Sequence, residues 1–391
     1  MYDDKVKLGI EVQDIFRQFA PTYLQAHRLP LQQLKVASAV SFCRTSKLGA
    51  HTDFCDECGH TQISYNSCRN RHCPKCQGLA KEQWLQDRRQ DLLPVPYFHV
   101  VFTLPNLLNP LVLRNQKLLY DLLFQRVSET LSELAADKKY LGAQIGITAI
   151  LHTWGQNLMD HPHIHCIVPA GGLSFDSLRW VNSRKKFFIP VKVLSKKFRG
   201  KFLYYLKQHY TTGLIVFHGK ISALAKEDAF KVLLGQLYDK DWVVYCKPPF
   251  KSPHHVLEYL GRYTHRVAIS NNRLVNIEEG KVIFRWRDYR DKDKQKLMTV
   301  EGHEFIRRFL MHVLPYRFVK IRHFGILSNR NRRSKLLTCK KLTGASLSFN
   351  PKKLTAVELL LKLTGRDVTL CPCCQKGHMK RQALLPLMAL P

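Results

Sequence analysis

The residues in this chain best suited to chemistry are a pair of histidines and a pair of tyrosines. His163-Ile164-His165 lies inside the stretch Leu151–Gly172, LHTWGQNLMDHPHIHCIVPAGG. β-branched residues interleaved with histidines and closed by glycines read as a short strand. Side chains two apart on a strand point the same way, so His163 and His165 share one face while Ile164, Cys166 and Val168 share the other. Two imidazoles above an apolar backing suit a metal ion; two core-edge histidines are the plainer reading. Further along, Tyr259-Leu-Gly-Arg262-Tyr263-Thr-His265-Arg266 follows Pro253 and has a helical pattern. Tyrosines four apart place their phenols on one face, one turn apart. Rings packed on a core would show the same spacing, but Arg262, His265 and Arg266 in the same turns suit a phosphate better.

These groups fit phosphodiester chemistry. A phenol, with a pKa near 10, attacks well only when its proton is removed and its target is made electrophilic. A phosphodiester repels an attacking oxygen until a divalent cation neutralises its non-bridging oxygens. Two neutral imidazoles and one side-chain oxygen leave positions open for phosphate and water. Gln156 is the expected third ligand, with Asp160 and His161 as competitors. Mg²⁺ or Mn²⁺ suits the role, and Mn²⁺ is the better match to imidazole.

A second set of chemistry-bearing residues is rich in sulfur. Cys55-Asp-Glu-Cys58 and Cys73-Pro-Lys-Cys76 are two Cys-x-x-Cys knuckles with 14 residues between them. Four thiolates so spaced predict a closed tetrahedral zinc site, whereas a redox motif would need only one knuckle. Cys43, His51, Cys68 and His72 interleave with the knuckles and either hold a second zinc or fill the core. Cys371 and Cys374 with His378 look like half of another site, which Cys339 would complete.

The elements that must carry these groups follow from composition and pattern. The 391 residues suffice for two or three domains. With 62 Lys+Arg against 30 Asp+Glu, the formal charge of +32 points to a polyanion, and nucleic acid is the leading partner. No apolar run approaches the length of a membrane span, and MYDDKVKLGI has no signal-peptide core. A cytoplasmic, nucleoid-associated chain is expected, so its twelve cysteines read as ligands or buried thiols. We divide the chain into a helical lead-in over 1–42, a zinc-binding, DNA-contacting domain with a linker helix over 43–93, a nuclease domain over 94–270 and a basic region over 271–391. Arg69 and Arg71 make the zinc module basic. No acidic residue occurs between Ser177 and Lys226, where cations alternate with aromatics, a pattern that suits single strands. None occurs between Phe305 and Val357 either, where Arg330, Arg332 and Arg333 gather.

Taken together, HPHIHCIVPAGG, YLGRYTHRVAIS, the CDECGH…SCRNRHCPKCQ knuckles and FRWRDYRD…EFIRRFLMHVLP resemble the HUH-type, two-tyrosine rolling-circle transposases, among them the insertion-sequence family numbered ninety-one. The likeness runs from about Cys43 to about Cys374. It implies an α+β fold: a central antiparallel sheet flanked by helices carries the histidine pair, a helix carries the tyrosines, and a small Cys-rich zinc-binding domain precedes them. It also implies a single-strand DNA nickase and ligase. By it, His163 and His165 bind the metal, and Tyr259 and Tyr263 are nucleophiles that form 5′-phosphotyrosines. The implied partners are single-stranded DNA and hairpins at element ends, and a target DNA. The rival readings are a zinc-ribbon nucleic-acid-binding protein without catalysis and a metal-dependent phosphodiesterase that uses water.

Overall fold

The computed structural model describes residues 9–183, 189–250, 255, 256, 259, 261, 265, 267–288, 291–345 and 354–383. Two helices come first, α1 (Val12–Ala26) and α2 (Leu31–Phe42). Val12, Ile15, Phe16, Ala20 and Tyr23 recur at helical spacing and are all buried. Pro21 does not interrupt this helix as its type suggests; it lies inside α1, where packing of the apolar face outweighs the lost backbone hydrogen bond. A hairpin follows, β1 (Ala50–Cys55) and β2 (Thr61–Tyr65), then α3 (Gln77–Arg89).

The body of the molecule is a five-stranded antiparallel sheet. Its strands are β3 (Tyr97–Thr103), β4 (Gly146–Trp154), β5 (Asp160–Pro169), β8 (Val244–Phe250) and β12 (Ile321–Gly325), in the order β12-β4-β5-β3-β8. Between β5 and β8 the short strands β6 (Gly171–Leu173) and β7 (Trp180–Asn182) pair with each other. Strand alternation gives the sheet two unlike faces. Phe98, Val100 and Phe102 of β3, Ile147, Ala149 and Leu151 of β4, and Ile164, Cys166 and Val168 of β5 all enter one large core. Three long helices cover that face: α5 (Gln116–Ala136), which follows the short α4 (Asn109–Arg114), α6 (Val191–Thr211) and α7 (Glu227–Asp239). Each buried phenylalanine there contributes about 1.5–3 kcal/mol. Tyr97, Ile150 and Ile167 point the other way, into a smaller core with Leu93, Val256 and Leu336. β12 ends at Gly325, whose φ is +62° and where a Cβ would meet the Ile145 carbonyl oxygen at 1.9 Å, so only glycine fits.

Over Val191–Thr211 the cation–aromatic alternation after Ser177 is the pattern of an amphipathic helix. Phe198 and Phe202 of α6 are fully buried, Lys197 and Lys201 pair with Glu133 of α5, and Arg199 donates to the Lys240 carbonyl. Residues 184–188 lie outside the described residues.

The C-terminal third does not form the separate region that composition suggests. The hairpin expected over Asn272–Arg287 exists as β9 (Leu274–Glu278) and β10 (Lys281–Asp288), with a third strand, β11 (Lys294–Glu301), added. This sheet and α8 (Gly302–Met311) share one core with α1 and α2, where the Phe16 and Phe309 rings meet at 5.0 Å. β12 then joins the central sheet beside β4. After α9 (Lys335–Leu342) and α10 (Ala356–Thr364), β13 (Met379–Ala383) returns to pair with β1. Divisions at 42 and 270 therefore cut across packed units, because sequence-distant strands supply the missing edges. No helix among the described residues is long and apolar enough to cross a membrane.

Candidate active site and thiol clusters

His163 and His165 stand on the face of β5 opposite the large core, as alternation requires. The register brings a third imidazole to them: His152 of β4 is directly opposite His163, and Ile150 is opposite His165. One ring nitrogen from each of His152, His163 and His165 lies within 4.8 Å of the others. All three are at most 9% exposed. His163 Nδ1 lies 2.6 Å from the His161 carbonyl oxygen, which can only accept, so Nδ1 carries the hydrogen and Nε2 presents a lone pair. Three imidazoles so held fit a divalent transition ion, with each nitrogen able to approach to about 2.1 Å.

Neither Asp160 nor His161 offers a ligand atom to the group of three, although the His161 ring lies 5.1 Å from that of His163. Gln156 is in the β4–β5 turn, where its main-chain carbonyl accepts from the Arg273 guanidinium. It lines an open cleft of about 450 Å³ with Asn106, Met159 and Trp286. Asp160 is buried near Tyr120, and burial raises its carboxyl to about 7. His161 contributes its carbonyl to His163, as above. His152 was legible in principle, because Leu151-His-Thr-Trp154 has the same alternation as HIH, but reading β4 without its register hid it.

His99 is the other residue that sequence reading missed. It is 3% exposed on β3, opposite Ile167, with its ring stacked on His165 at 10° between planes. His99 Nε2 lies 2.9 Å from His165 Nδ1. The Tyr259 hydroxyl lies 2.8 Å from His99 Nε2 and 3.0 Å from Nδ1, on the edge of the ring between them. A hydrogen-bonded chain thus links the phenol to the imidazole triad. Burial, with Lys247 opposite on β8, pushes His99 down to about 3, so it is neutral at physiological pH. Tyr259 is backed by the Phe250 ring at 4.9 Å. α3 supports this segment: Trp84 meets His265 edge-on at 6.0 Å, and a Cβ at Gly261 would touch Leu85 at 2.9 Å. Tyr263, Arg262 and Arg266 lie outside the described residues.

The thiols assemble differently from the spacing-based expectation. Cys55, Cys58, Cys73 and Cys76 do not share a site: Cys43, Cys68, Cys73 and Cys76 form one group, and Cys55, Cys58, Cys371 and Cys374 another. The hairpin explains the partition. Cys43 and Cys68 flank its base, where the Arg44 amide donates to the Asn66 carbonyl, while Cys55 and Cys58 sit at its tip. Five residue steps of strand separate base from tip by roughly 17 Å, too far for one ion. β13 lies against β1 with Met379 opposite Cys55, which brings the C-terminal knuckle to the tip. His51 and His72 belong to neither group; burial, with Arg71 nearby, pushes His72 down to about 3. Cys339 is buried on α9 in the smaller core, and His378 meets Asp56 through its main chain, its amide donating to the carboxylate and its carbonyl accepting from the Asp56 amide.

The arginines divide as well. Both terminal nitrogens of Arg71 donate to the Phe318 carbonyl at 2.8 Å, so this side chain docks the zinc module onto the approach to β12. Arg332 pairs with Asp91 through Nε at 2.6 Å. Neither is a free phosphate ligand. Arg69, Arg330 and Arg333 are exposed.

Comparison with known proteins agrees with these features. The family model described as "Putative transposase" matches residues 146–335, and "Transposase zinc-binding domain" matches residues 15–104. The chain is 50% identical over 375 residues to the "Putative transposase y4qJ" of Sinorhizobium fredii, covering 95% of this chain and 94% of that one. It is 30% identical over 301 residues to the "Transposase for insertion sequence element IS801" of Pseudomonas savastanoi pv. phaseolicola, covering 76% and 71%. No solved structure matches it significantly. Antiparallel sheet, flanking helices, cysteine-rich zinc-binding domain and these relatives together make the chain a transposase of the IS91 family.

Proposed function

We propose that this transposase nicks and rejoins single-stranded DNA through a covalent tyrosine adduct, as rolling-circle transposition requires. The observation that carries the reading is the hydrogen-bonded chain from the Tyr259 hydroxyl through His99 to His165 of the imidazole triad. His152, His163 and His165 would hold the cation, and their all-imidazole donor set favours Mn²⁺ over Mg²⁺. Such an ion would neutralise the non-bridging phosphate oxygens and orient the group for in-line attack.

The chain's own residues prepare the nucleophile. With His165 Nε2 turned to the cation, its Nδ1 carries the hydrogen and donates to His99 Nε2. His99 Nε2, 2.8 Å from the phenol oxygen, is then also the nitrogen that can accept from the hydroxyl, which holds the nucleophile beside the triad. The phenol proton passes to water. The Tyr259 oxygen bonds to phosphorus as the bond to the 3′ oxygen breaks, leaving a 5′-phosphotyrosine and a 3′-hydroxyl. Tyr263, on the same stretch, is the proposed second nucleophile, which lets one phenol hold a cut end while the other acts. Single strands and hairpins at element ends, together with a target DNA, are the proposed partners, gripped in part by Arg69, Arg330 and Arg333.

The test is incubation with single-stranded oligonucleotides from the element ends and Mn²⁺, followed by denaturing electrophoresis. A covalent protein–DNA band that Tyr259→Phe with Tyr263→Phe abolishes is the expected result. Cleavage without a band would instead indicate attack by water, and binding without cleavage a non-catalytic zinc-ribbon protein.

A further inference from the structure

The family's zinc-binding match ends at residue 104 and so includes only two of the four thiols in the second cysteine group. Cys55 Sγ lies 3.7 Å from Cys374 Sγ, and Cys58 Sγ lies 3.7 Å from Cys371 Sγ. A regular tetrahedron of sulfurs around a zinc ion, each bond about 2.3 Å, has edges of about 3.8 Å. A disulfide would bring sulfurs to about 2.05 Å. Backbone amides point at these sulfurs as they do around thiolates: Glu57 N and Cys58 N at Cys55, Cys373 N at Cys371, and Gly377 N at Cys374, all at 3.4–3.5 Å. Gly377 is required by space, since a Cβ there would sit 2.5 Å from Cys55 Sγ. The first group, which lies within the family's zinc match, has the same spacing, with Cys76 Sγ 3.5 Å from Cys43 Sγ and 3.6 Å from Cys68 Sγ.

Beyond the backbone ladder between β13 and β1, few side chains fasten the C-terminal segment. Of residues 354–383, Leu359 and Cys371 are its buried hydrophobic side chains among the described residues. The ion pairs Lys380–Asp56 and Arg381–Asp53 are exposed on the basic side and add little. Yet this segment places α10 against α3, and α3 contacts His265 and Gly261, near Tyr259 in sequence, through Trp84 and Leu85.

We propose that Cys55, Cys58, Cys371 and Cys374 bind a second zinc ion, half of whose ligands come from each end of the chain, and that this ion clasps the C-terminal segment so that α10 stays behind α3. The clasp is independent of whether Tyr259 is a nucleophile. Its test is metal analysis of the purified full-length chain. Two zinc ions per chain are expected, falling to one in Cys371→Ser with Cys374→Ser. Cobalt substitution should halve its thiolate-to-metal absorption in that variant. Hydrogen exchange at the β13 amides should rise to the unprotected rate, while the β5 amides remain protected. Cys374→His, which keeps a ligand, should retain two ions and β13 protection even if the double variant misfolds. One zinc per wild-type chain, two in the double serine variant, or a mass deficit showing a disulfide between the knuckles would overturn the proposal.

Discussion

Replacing His99 by alanine isolates the link between phenol and triad. The ring is 3% exposed and holds two neighbours, the Tyr259 hydroxyl at 2.8 Å and His165 Nδ1 at 2.9 Å. Losing the group that positions the attacking oxygen, with a misplacement of about 1 Å, costs about 10²-fold in rate, or about 2.7 kcal/mol. Leaving the His165 Nδ1 partner unmet costs a further 1–3 kcal/mol, roughly, in stability. In a single-turnover assay with an excess of single-stranded oligonucleotide, the rate of covalent adduct formation should therefore fall by about 10²-fold. DNA affinity should stay within about threefold, because the His99 ring is buried beneath the site. His99→Gln, which keeps a donor and an acceptor, should recover part of the loss. A titration with Mn²⁺ separates two causes. If saturating metal restores the rate, His99 acts only by steadying His165. A His99→Ala rate within threefold of the parent at subsaturating metal would refute the link altogether.

The remaining predictions are narrower. His152→Ala should weaken Mn²⁺ binding by about 10–100-fold by calorimetry and abolish adduct formation. Stability should fall as the solution is acidified from about pH 6.5 towards pH 4. Burial holds His72 near 3 and His312 and His323 near 4, against about 6.5 when unfolded, so the unfolded chain binds more protons throughout that window. Urea midpoints at pH 7.5 and pH 5 should show the drop, and His312→Gln should make it shallower; equal midpoints would contradict the sign. Phe102→Ala, at a fully buried ring 5.1 Å from Phe198, should cost about 3–5 kcal/mol in the same assay.

What could be read from the chain was whatever depends on local alternation. The HIH strand and its apolar backing follow from period two, and Val12 to Tyr23 declare a helix by period 3.6. Register does not show in this way. His152 and His99 reach the site only because β4 and β3 pair with β5 at particular offsets, which no spacing along the chain encodes. The same holds for the thiols: two knuckles close together in sequence are separated by a hairpin, and the true partners of the first lie more than 300 residues away. Charge was the least reliable guide, because Arg71 and Arg332 look like surface cations until a carbonyl and a carboxylate are found to occupy them.

The meeting of Cys58 with Cys371, 313 positions later, also has a meaning in time. At about 5–20 residues per second of synthesis, the hairpin tip leaves the ribosome roughly 15–60 s before the other half of its ligand set exists. The cysteine group at the hairpin base is complete once residue 76 has emerged, but the group at the tip can close only after residue 374 has been translated. A transposase cut short before residue 371 by a frameshift or early stop would therefore carry two bare thiols in place of a finished knuckle.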